Sequence, residues 1–490
     1  MVDPDAPQSS SAAQSSLPAL CPPQDRRFIL TAAILASALG FIDGTIVSIA
    51  IPAIRETLNA DLSQAQWVHN AYMLTLTSLM LIGGALGDRF GTAKIFRFGI
   101  ALFVAASLGC AAATHAQTLI AARALQGIGA AIMIPGSLAI ITRAYPKEVR
   151  AIAIGTWAAA SAVTTALGPI IGGLVLSFGG PEMWRWIFAV NIPLGGLSLW
   201  LLSKPRYTPR IPRAAKIDLL GIITIAFALF AIAWGLTSEH GDTPGPDLRW
   251  ITAGLAALGL FIVIEARVSA PMLPLTLFRS RVFAFANLMS FTLYAALSIM
   301  FFFLPMAVIS TWGVREIDAA ASFAPLSIFI ATLSTRAGML AARFGPAKVL
   351  AIGSFCAAAG LCLMAVLAPQ QNYWGHVLPC MCLVGIGMGL CVAPLSTAVM
   401  GAVDERQSGI ASGVNNAISR LASLIGVAAV SGTTALIYAR AGGSASFGIQ
   451  SATAGHIEAS TVAFQSILWI AASLAGISAI LAVFIRSPRT

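Results

Sequence analysis

An aspartate inside a long apolar segment is the residue with the clearest chemical potential. Asp43 lies about 22 Å from Phe28 along the first apolar segment, if that segment is a helix rising about 1.5 Å per residue. A carboxylate within a membrane is unfavourable unless it is paired, hydrated or protonated. Burial favours the protonated form and a nearby cation favours the charged form. A carboxyl group that meets two media in turn can therefore take up a proton on one side and release it on the other.

An arginine in the fourth apolar segment is expected at the same depth. Arg123 is about six residues, or roughly 9 Å, from the external start of that segment. We expect Arg123 and Asp43 to interact, directly or through Gln126 and water, and we expect this contact to change as the proton moves. The alternative is that Asp43 caps a local kink near Gly44 while Arg123 satisfies helix ends. Asp43, Arg123 and Gln126 are therefore the predicted proton-coupling residues.

The composition determines which kind of structure holds these residues. Apolar residues make up 58% of the 490 residues and charged residues only 10%, against about 25% charged residues in an ordinary soluble domain. Such a chain faces mostly lipid or other helices, where only helices or a closed barrel satisfy the backbone. The apolar segments run to about 20 residues or longer without alternation, which excludes a barrel. The predicted fold is an all-α integral membrane protein.

Fourteen transmembrane helices are predicted from these segments. They lie at about 28–53, 66–87, 95–114, 117–142, 151–178, 184–203, 217–237, 249–266, 282–309, 318–341, 347–368, 375–401, 408–437 and 463–485. Most Lys and Arg residues fall in one alternating set of loops and in both tails. The opposite set of loops holds only Arg55, Arg185, Arg249, Arg315 and Arg440. By the positive-inside rule both termini are cytoplasmic, and the net charge of +10 reflects topology and not nucleic-acid binding.

An internal repeat predicts two related bundles. The segment 84–91 follows the second span and the similar segment 338–345 follows the tenth. The predicted organisation is a disordered cytoplasmic tail (1–27), an N-terminal six-helix bundle (28–205), a basic linker with two extra transmembrane helices (206–277) and a C-terminal six-helix bundle (278–490). The two inserted helices are expected to face lipid.

Residue patterns for metal, cofactor or catalytic sites do not stand out. The seven cysteines form no CxxC pair and have no histidine at ligand spacing, and no GxxxxGK[ST] loop is found. The five histidines are expected at or beyond external helix ends. We therefore expect no cofactor, no metal and no enzymatic activity; an integral membrane enzyme is the remote alternative.

A substrate pocket is expected near the membrane midplane between the bundles. Aromatic and methionine side chains adapt to varied apolar ligands, although in membrane helices they more often pack or face lipid. The candidates are Phe41, Tyr72, Met73, Trp157, Asn287, Phe291, Tyr294 and Met300.

Six motifs carry a resemblance to a known family. They are, in chain order, Asp43–Pro52, Gly84–Lys94, Arg123–Gly129, Gly155 with Gly168–Gly173, Trp184–Gly195, and Ala411–Asn415 with Arg420. Together they resemble the major facilitator superfamily and, within it, the 14-helix drug:proton antiporters of the EmrB and QacA type. Ser48 and Thr164 stand where the family pattern has Asn and Gly.

The resemblance implies roles for two further groups of residues. It implies a gating loop that latches the two halves, formed by Gly84, Asp88, Arg89 and Gly91. It also implies an antiporter helix, which bends and seals against leak, with Gly155, Gly168, Pro169, Gly172 and Gly173. Independently of the family, small residues allow close helix packing and proline bends a helix.

The function that the resemblance implies is proton-coupled efflux, or antiport, of small amphipathic drugs or toxic compounds across the cell inner (cytoplasmic) membrane by alternating access. The expected partners are the substrate, protons and the lipid bilayer, without nucleic acid; the sequence leaves a periplasmic adaptor protein open. The alternative is a dedicated exporter of an endogenous metabolite, lipid or siderophore with the same fold.

Overall fold

The computed structural model describes residues 21–205, 218–237, 246–269, 271–404, 407–443, 446–451 and 453–485, and the regular secondary structure of these residues is helical. The N-terminal half contains α1 (Pro23–Leu58), α2 (Leu62–Phe90), α3 (Thr92–Ala111), α4 (Ala116–Ala144), α5 (Lys147–Gly179), α6 (Trp184–Ala189) and α7 (Asn191–Ser203). An inserted pair follows, α8 (Leu219–Thr237) and α9 (Leu248–Arg267). The C-terminal half contains α10 (Arg281–Ser310), α11 (Glu316–Ala321), α12 (Ala324–Phe344), α13 (Pro346–Leu367), α14 (Leu378–Gly401), α15 (Ser408–Arg440) and α16 (Ala454–Val483).

The lengths of these helices match a membrane. Among the described residues, 12 helical segments are long and apolar enough to cross one. Two more long helices, α2 with 29 residues and α5 with 33, pack among the others of the N-terminal half. The all-α membrane fold is therefore confirmed, and the count of 14 spans stays a prediction.

Several helix bounds differ from the predicted ones. α1 begins at Pro23, inside the predicted tail, because Pro23 occupies the first helical position and Asp25 lies in the positively polarised first turn. Residues 1–20 lie outside the described part of the chain. The sixth predicted span consists of two helices, α6 and α7, which meet at Val190.

The inserted helix α8 was expected to face lipid, but the structure places it against other helices. It lies against α2 and α15, which belong to opposite halves. Its contact with α2 is aromatic, since the Trp67 ring centroid is 5.9 Å from that of Phe230 and 5.4 Å from that of Trp234. α8 therefore bridges the halves. α9 packs on α8 and leaves most of its own surface exposed.

The sequence repeat has a structural counterpart in each half. Gly91 joins α2 to α3 with φ +97°, and Gly345 joins α12 to α13 with φ +87°. These backbone conformations are open mainly to glycine. In both copies the preceding arginine covers the following phenylalanine ring: Arg89 lies 5.4 Å from the Phe90 centroid, and Arg343 lies 5.2 Å from that of Phe344.

The two halves are joined at one end of the bundle. The end of α1 reaches the loop between α15 and α16, where Arg55 donates a hydrogen bond to the Phe447 carbonyl oxygen. Nearby, Ser431 of α15 donates to the Gln66 side-chain oxygen of α2. This is the end that the charge asymmetry predicts to be external, so the structure shows the halves closed against each other there.

Candidate functional site

A buried polar group joins α1 to α4. Arg123 Nη1 donates to Asp43 Oδ2 and, over 2.6 Å, to Gln126 Oε1, while Gln126 Nε2 donates to Asp43 Oδ1 over 2.9 Å. Each of the three residues is at most 1% exposed. The structure thus brings the three predicted proton-coupling residues together. Both carboxylate oxygens accept from α4, which does not fit Asp43 as a cap for a kink in α1.

The Arg123 guanidinium is enclosed on its other sides by α2 and α6. Its Nε donates to the Val68 carbonyl oxygen over 3.0 Å. Its central carbon lies 4.2 Å from the Tyr72 ring centroid and 5.7 Å from the Phe188 centroid. Aromatic faces stabilise a cation that has lost water. Tyr72, predicted for the substrate pocket, therefore lies in this polar group.

Two residues of the group were missed by the sequence analysis. Ser107 of α3 accepts from Gln126 Nε2 over 2.8 Å. Asn191 Nδ2 lies 3.3 Å from Ser107 Oγ and 3.5 Å from Asp43 Oδ1. Asn191 is the first residue of α7, so the break at Val190 places its amide beside the carboxylate. The motif Trp184–Gly195 was the signal for Asn191, whereas Ser107 had no signal beyond being polar in an apolar span.

This arrangement links a proton to the position of a cation. With Asp43 ionised, its charge balances that of Arg123. Protonation of Asp43 removes the negative partner, and breaking a buried ion pair costs about 3–5 kcal/mol. Gln126 and Asn191 can still hydrogen-bond to the neutral carboxyl group. Arg123, in contrast, loses its counter-charge, which favours movement of its guanidinium away from Asp43.

His69 corrects one expectation about the histidines. It follows Val68, whose carbonyl accepts from Arg123, and so lies at the depth of the buried pair and not at a helix end. Its ring centroid is 5.8 Å from that of Phe302 of α10, across the seam between the halves. Its Nε2 atom is buried without a hydrogen-bond partner.

The predicted gating loop is described only in part. Arg89 is exposed and Gly91 ends α2 with the positive φ given above. The surroundings of Gly84 and of the Asp88 side chain lie outside what the structure describes. The latch therefore remains a prediction.

Two glycines of the predicted antiporter helix allow α5 to approach α1. A Cβ atom on Gly168 would overlap Thr45 Oγ1 and lie 3.0 Å from the Ile42 carbonyl oxygen. A Cβ atom on Gly172 would lie 2.8 Å from Ile46 Cγ1. Both distances are shorter than ordinary contacts, so only glycine fits this crossing.

The next glycine of α5 faces the other half. A Cβ atom on Gly173 would lie 2.6 Å from Ala320 Cβ and 2.8 Å from the Glu316 carbonyl oxygen, both in α11. A Cβ atom on Gly155 would meet no atom within 4 Å, so that position is not packed. Pro169 is buried, and α5 continues through it.

The remaining pocket candidates differ in their surroundings, and their role in binding substrate stays a prediction. Met73 and Met300 are buried in two different apolar cores. Trp157 Nε1 donates to Ser37 Oγ over 2.8 Å. Asn287 accepts from Asn415 over 3.0 Å. Trp157 is half-buried, as are Phe41, Phe291 and Tyr294.

A cavity of about 620 Å³ lies elsewhere, between α2, α4 and α8. Its aromatic lining consists of Trp67, Phe230 and Trp234. None of the eight predicted pocket residues lines this cavity.

Comparison with known proteins gives one consistent family. The family model described as Major Facilitator Superfamily matches residues 33–427. The chain is 33% identical over 411 residues to the methylenomycin A resistance protein of Bacillus subtilis (strain 168), covering 81% of this chain and 85% of that protein. It is 30% identical over 407 residues to the tetracenomycin C resistance and export protein of Streptomyces glaucescens, covering 81% and 74%.

Solved structures agree at the level of the fold. A bacterial homologue of the human lysosomal transporter Spinster, in an inward-facing and unoccupied conformation, superposes with a TM-score of 0.65 at 18% identity. The match covers 96% of this chain and all of that chain, at 100%.

Proposed function

Because the chain belongs to the major facilitator superfamily, we propose that it exports small amphipathic drugs or toxic compounds across the cytoplasmic membrane in exchange for protons, by alternating access. Membership in this family makes the chain a multi-span membrane transporter of small molecules and not an enzyme. The names of its relatives, which describe antibiotic resistance and export, support the direction of transport.

The observation that carries the proposal is the buried Asp43–Arg123 pair with its Gln126 bridge. Asp43 takes up a proton in one state of the transporter and releases it in the other. Arg123 holds the ionised carboxylate and is freed when the carboxyl group is neutral. The positions of α1 and α4 are therefore coupled to the proton, because the two partners lie on different helices.

The proposal extends to the 14-helix antiporter type resembling EmrB and QacA. The 12 candidate membrane spans of the described residues, together with α2 and α5, would make fourteen transmembrane helices. In this proposal both termini are cytoplasmic, and the bundles of residues 28–205 and 278–490 rock about the substrate site, with 206–277 as the insert. The adaptor protein that the sequence left open forms no part of the proposal.

Gating in this proposal uses both ends of the seam. On the cytoplasmic side, Asp88 and Arg89 form the latch implied by the family. On the external side, Gly173 lets α5 rest against α11, and the backbone N–H of Ile317 donates to Ser177 Oγ over 3.1 Å. The glycines at 168 and 172 keep α5 close to α1, the helix that carries Asp43.

The test follows internal pH in energised everted vesicles while lipophilic cations, anions and neutral drugs are added. We expect some compounds to collapse the pH gradient in the wild type. Asp43→Asn should reduce this response by about a hundredfold or more, since it removes the only proton carrier of the Asp43–Arg123 pair. Glu265→Gln is the matched control, because Glu265 is also buried in a span, at 3% exposed, but lies in the inserted α9.

Two outcomes count against the proposal. An Asp43→Asn variant that still exchanges protons for substrate at the wild-type rate would remove the proposed proton carrier. Export that proceeds without proton movement would replace antiport by another form of coupling.

A further inference from the structure

A second arginine lies within the membrane-spanning part of the C-terminal half. Arg420 is the thirteenth residue of α15, about 18 Å from its start at about 1.5 Å per residue. Leu424 and Ala428, one and two turns further along the same face, are fully buried in the core of the N-terminal half. This face of α15 therefore points across the seam.

The Arg420 guanidinium reaches the helix that carries Asp43. A Cβ atom on Gly44 would lie 3.9 Å from Arg420 Nη1. The Arg420 charge is also within electrostatic range of His69 and Tyr72 on α2 and of Tyr294 on α10. Three helices from both halves, α1, α2 and α10, thus surround the Arg420 guanidinium, in the region where a transported molecule has to pass.

The Arg420 side chain has no acceptor in the described part of the chain. Among the residues described, none forms an ion pair or a hydrogen bond with its side chain. Asp43, the nearby acid, is already occupied by Arg123, Gln126 and Asn191. A second positive charge therefore lies at the seam without a counter-charge from the part of the chain that the structure describes.

Snorkelling to lipid headgroups does not explain this position. A long cationic side chain near a helix end can reach the interface, but Arg420 lies well inside α15 and its guanidinium approaches α1. The side chain is partly exposed and not sealed in a core. An intramembrane cation that is accessible and unpaired is set up to meet an anion, because the guanidinium fork fits carboxylate and sulfonate oxygens well.

We propose that Arg420 binds the anionic head group of the exported molecule, so that this transporter prefers amphipathic anions such as carboxylates or sulfonates over cations. The inference rests on the proposed export function and specifies the substrate class for it. Tyr294 lies within electrostatic range of Arg420, and its hydroxyl group has no hydrogen-bond partner among the described residues. Its hydroxyl group can donate to a second oxygen of the head group.

The charge balance gives this proposal a distinctive electrical consequence. Export of a monoanion in exchange for one proton moves two elementary charges, whereas export of a monocation in exchange for one proton moves none. An inside-negative membrane potential therefore drives the anion cycle. The anion passes Arg420 while the proton passes Asp43, so the two ions use different residues.

The binding test uses three probes with one anthracene ring system and different head groups: a sulfonate, a methanol and a trimethylammonium derivative. The sulfonate stays ionised and so carries no proton across the membrane by itself. With purified transporter in lipid nanodiscs, we expect the sulfonate to bind at least about tenfold more tightly than the ammonium probe. Arg420→Gln should weaken sulfonate binding about tenfold to a hundredfold, and Arg420→Lys less.

The matched control is Arg336→Gln, since Arg336 is exposed on α12 and should not affect binding of any probe. Unchanged sulfonate binding in Arg420→Gln, or a preference for the ammonium probe in the wild type, overturns the proposal. Arg420→Gln could instead slow the proton-coupled transport of all three probes equally without altering sulfonate binding. That result would assign Arg420 a role in proton coupling with Asp43 and would also overturn the proposal.

Asp43→Asn separates this proposal from the export function on which it rests. If the anion site is correct, Asp43→Asn retains sulfonate binding while losing proton exchange. If Asp43→Asn instead retains proton exchange, the proton-coupling role fails, and the effect of Arg420→Gln on binding still decides the anion site. In proteoliposomes, sulfonate transport that increases with an imposed membrane potential supports the proposal, and sulfonate transport that is indifferent to it contradicts the electrical prediction.

Discussion

The two halves of this transporter each carry an arginine inside the membrane, and they treat it in opposite ways. Arg123 in the N-terminal half is fully buried and bound by a carboxylate, an amide, a carbonyl group and an aromatic face. Arg420 in the C-terminal half is partly exposed and has no acceptor in the described chain. In our proposal this difference separates two roles of an intramembrane arginine, which its neighbours decide: Arg123 is the partner of an acid, and Arg420 presents its charge to the passing molecule.

The largest expected effect tests whether the two arginines contribute differently to the stability of the protein. Arg123→Gln should lower the free energy of unfolding by about 3–5 kcal/mol, because it leaves Asp43 buried without its cation. Arg420→Gln should change it by less than about 1 kcal/mol, because no pair is broken. Denaturant unfolding in detergent micelles measures both, with Asp43→Asn combined with Arg123→Gln expected to recover part of the loss. Equal losses in the two single variants would remove the distinction.

A smaller effect concerns the seam at which the halves meet. Gly173→Ala should destabilise the closed end of the seam, where α5 meets α11, by about 1–3 kcal/mol, because its methyl group would overlap α11. We expect faster amide hydrogen exchange in α11, where the Ile317 amide bonds to Ser177, and slower transport. Gly196→Ala is the control, since a Cβ atom there would meet nothing within 4 Å. Unaltered exchange in α11 would show that this contact does not hold the halves closed.

The smallest effect compares matched positions of the internal repeat. Gly91→Ala and Gly345→Ala should each lower the free energy of unfolding by about 1–2 kcal/mol, because both residues adopt positive φ angles. If the latch involving Asp88 is confined to the N-terminal copy, only Gly91→Ala should also slow transport. Thermal unfolding and transport assays on both variants separate the two contributions. Equal slowing would indicate that the two loops gate alike.

Much of the fold could be predicted because two quantities largely set the length and position of membrane helices. A rise of about 1.5 Å per residue and the thickness of the bilayer set the spans, and they placed Asp43 and Arg123 at one depth. The meeting of Ser107 and Asn191 with Gln126 could not be predicted in this way. It depends on how α3 and α7 are rotated about their axes, which depth does not specify.

The substrate pocket shows the same limit. Aromatic residues and methionines were suitable by type, yet Tyr72 stacks on Arg123 and Met300 fills an apolar core. The bridging position of α8 was also missed, because a uniformly apolar helix has no polar face to show which side packs. Arg420 belongs to the sixth sequence motif, but its direction toward Gly44 became visible only in the structure.

By itself the sequence determined the membrane class, the approximate spans and the common depth of Asp43 and Arg123, because hydrocarbon tolerates only helices that satisfy their own backbone. Only the tertiary structure decided that Arg123 has an acidic partner and that Arg420 has none among the described residues. Pairing depends on which helices are neighbours and on which faces they turn to each other, and those are set by side-chain packing across the whole bundle.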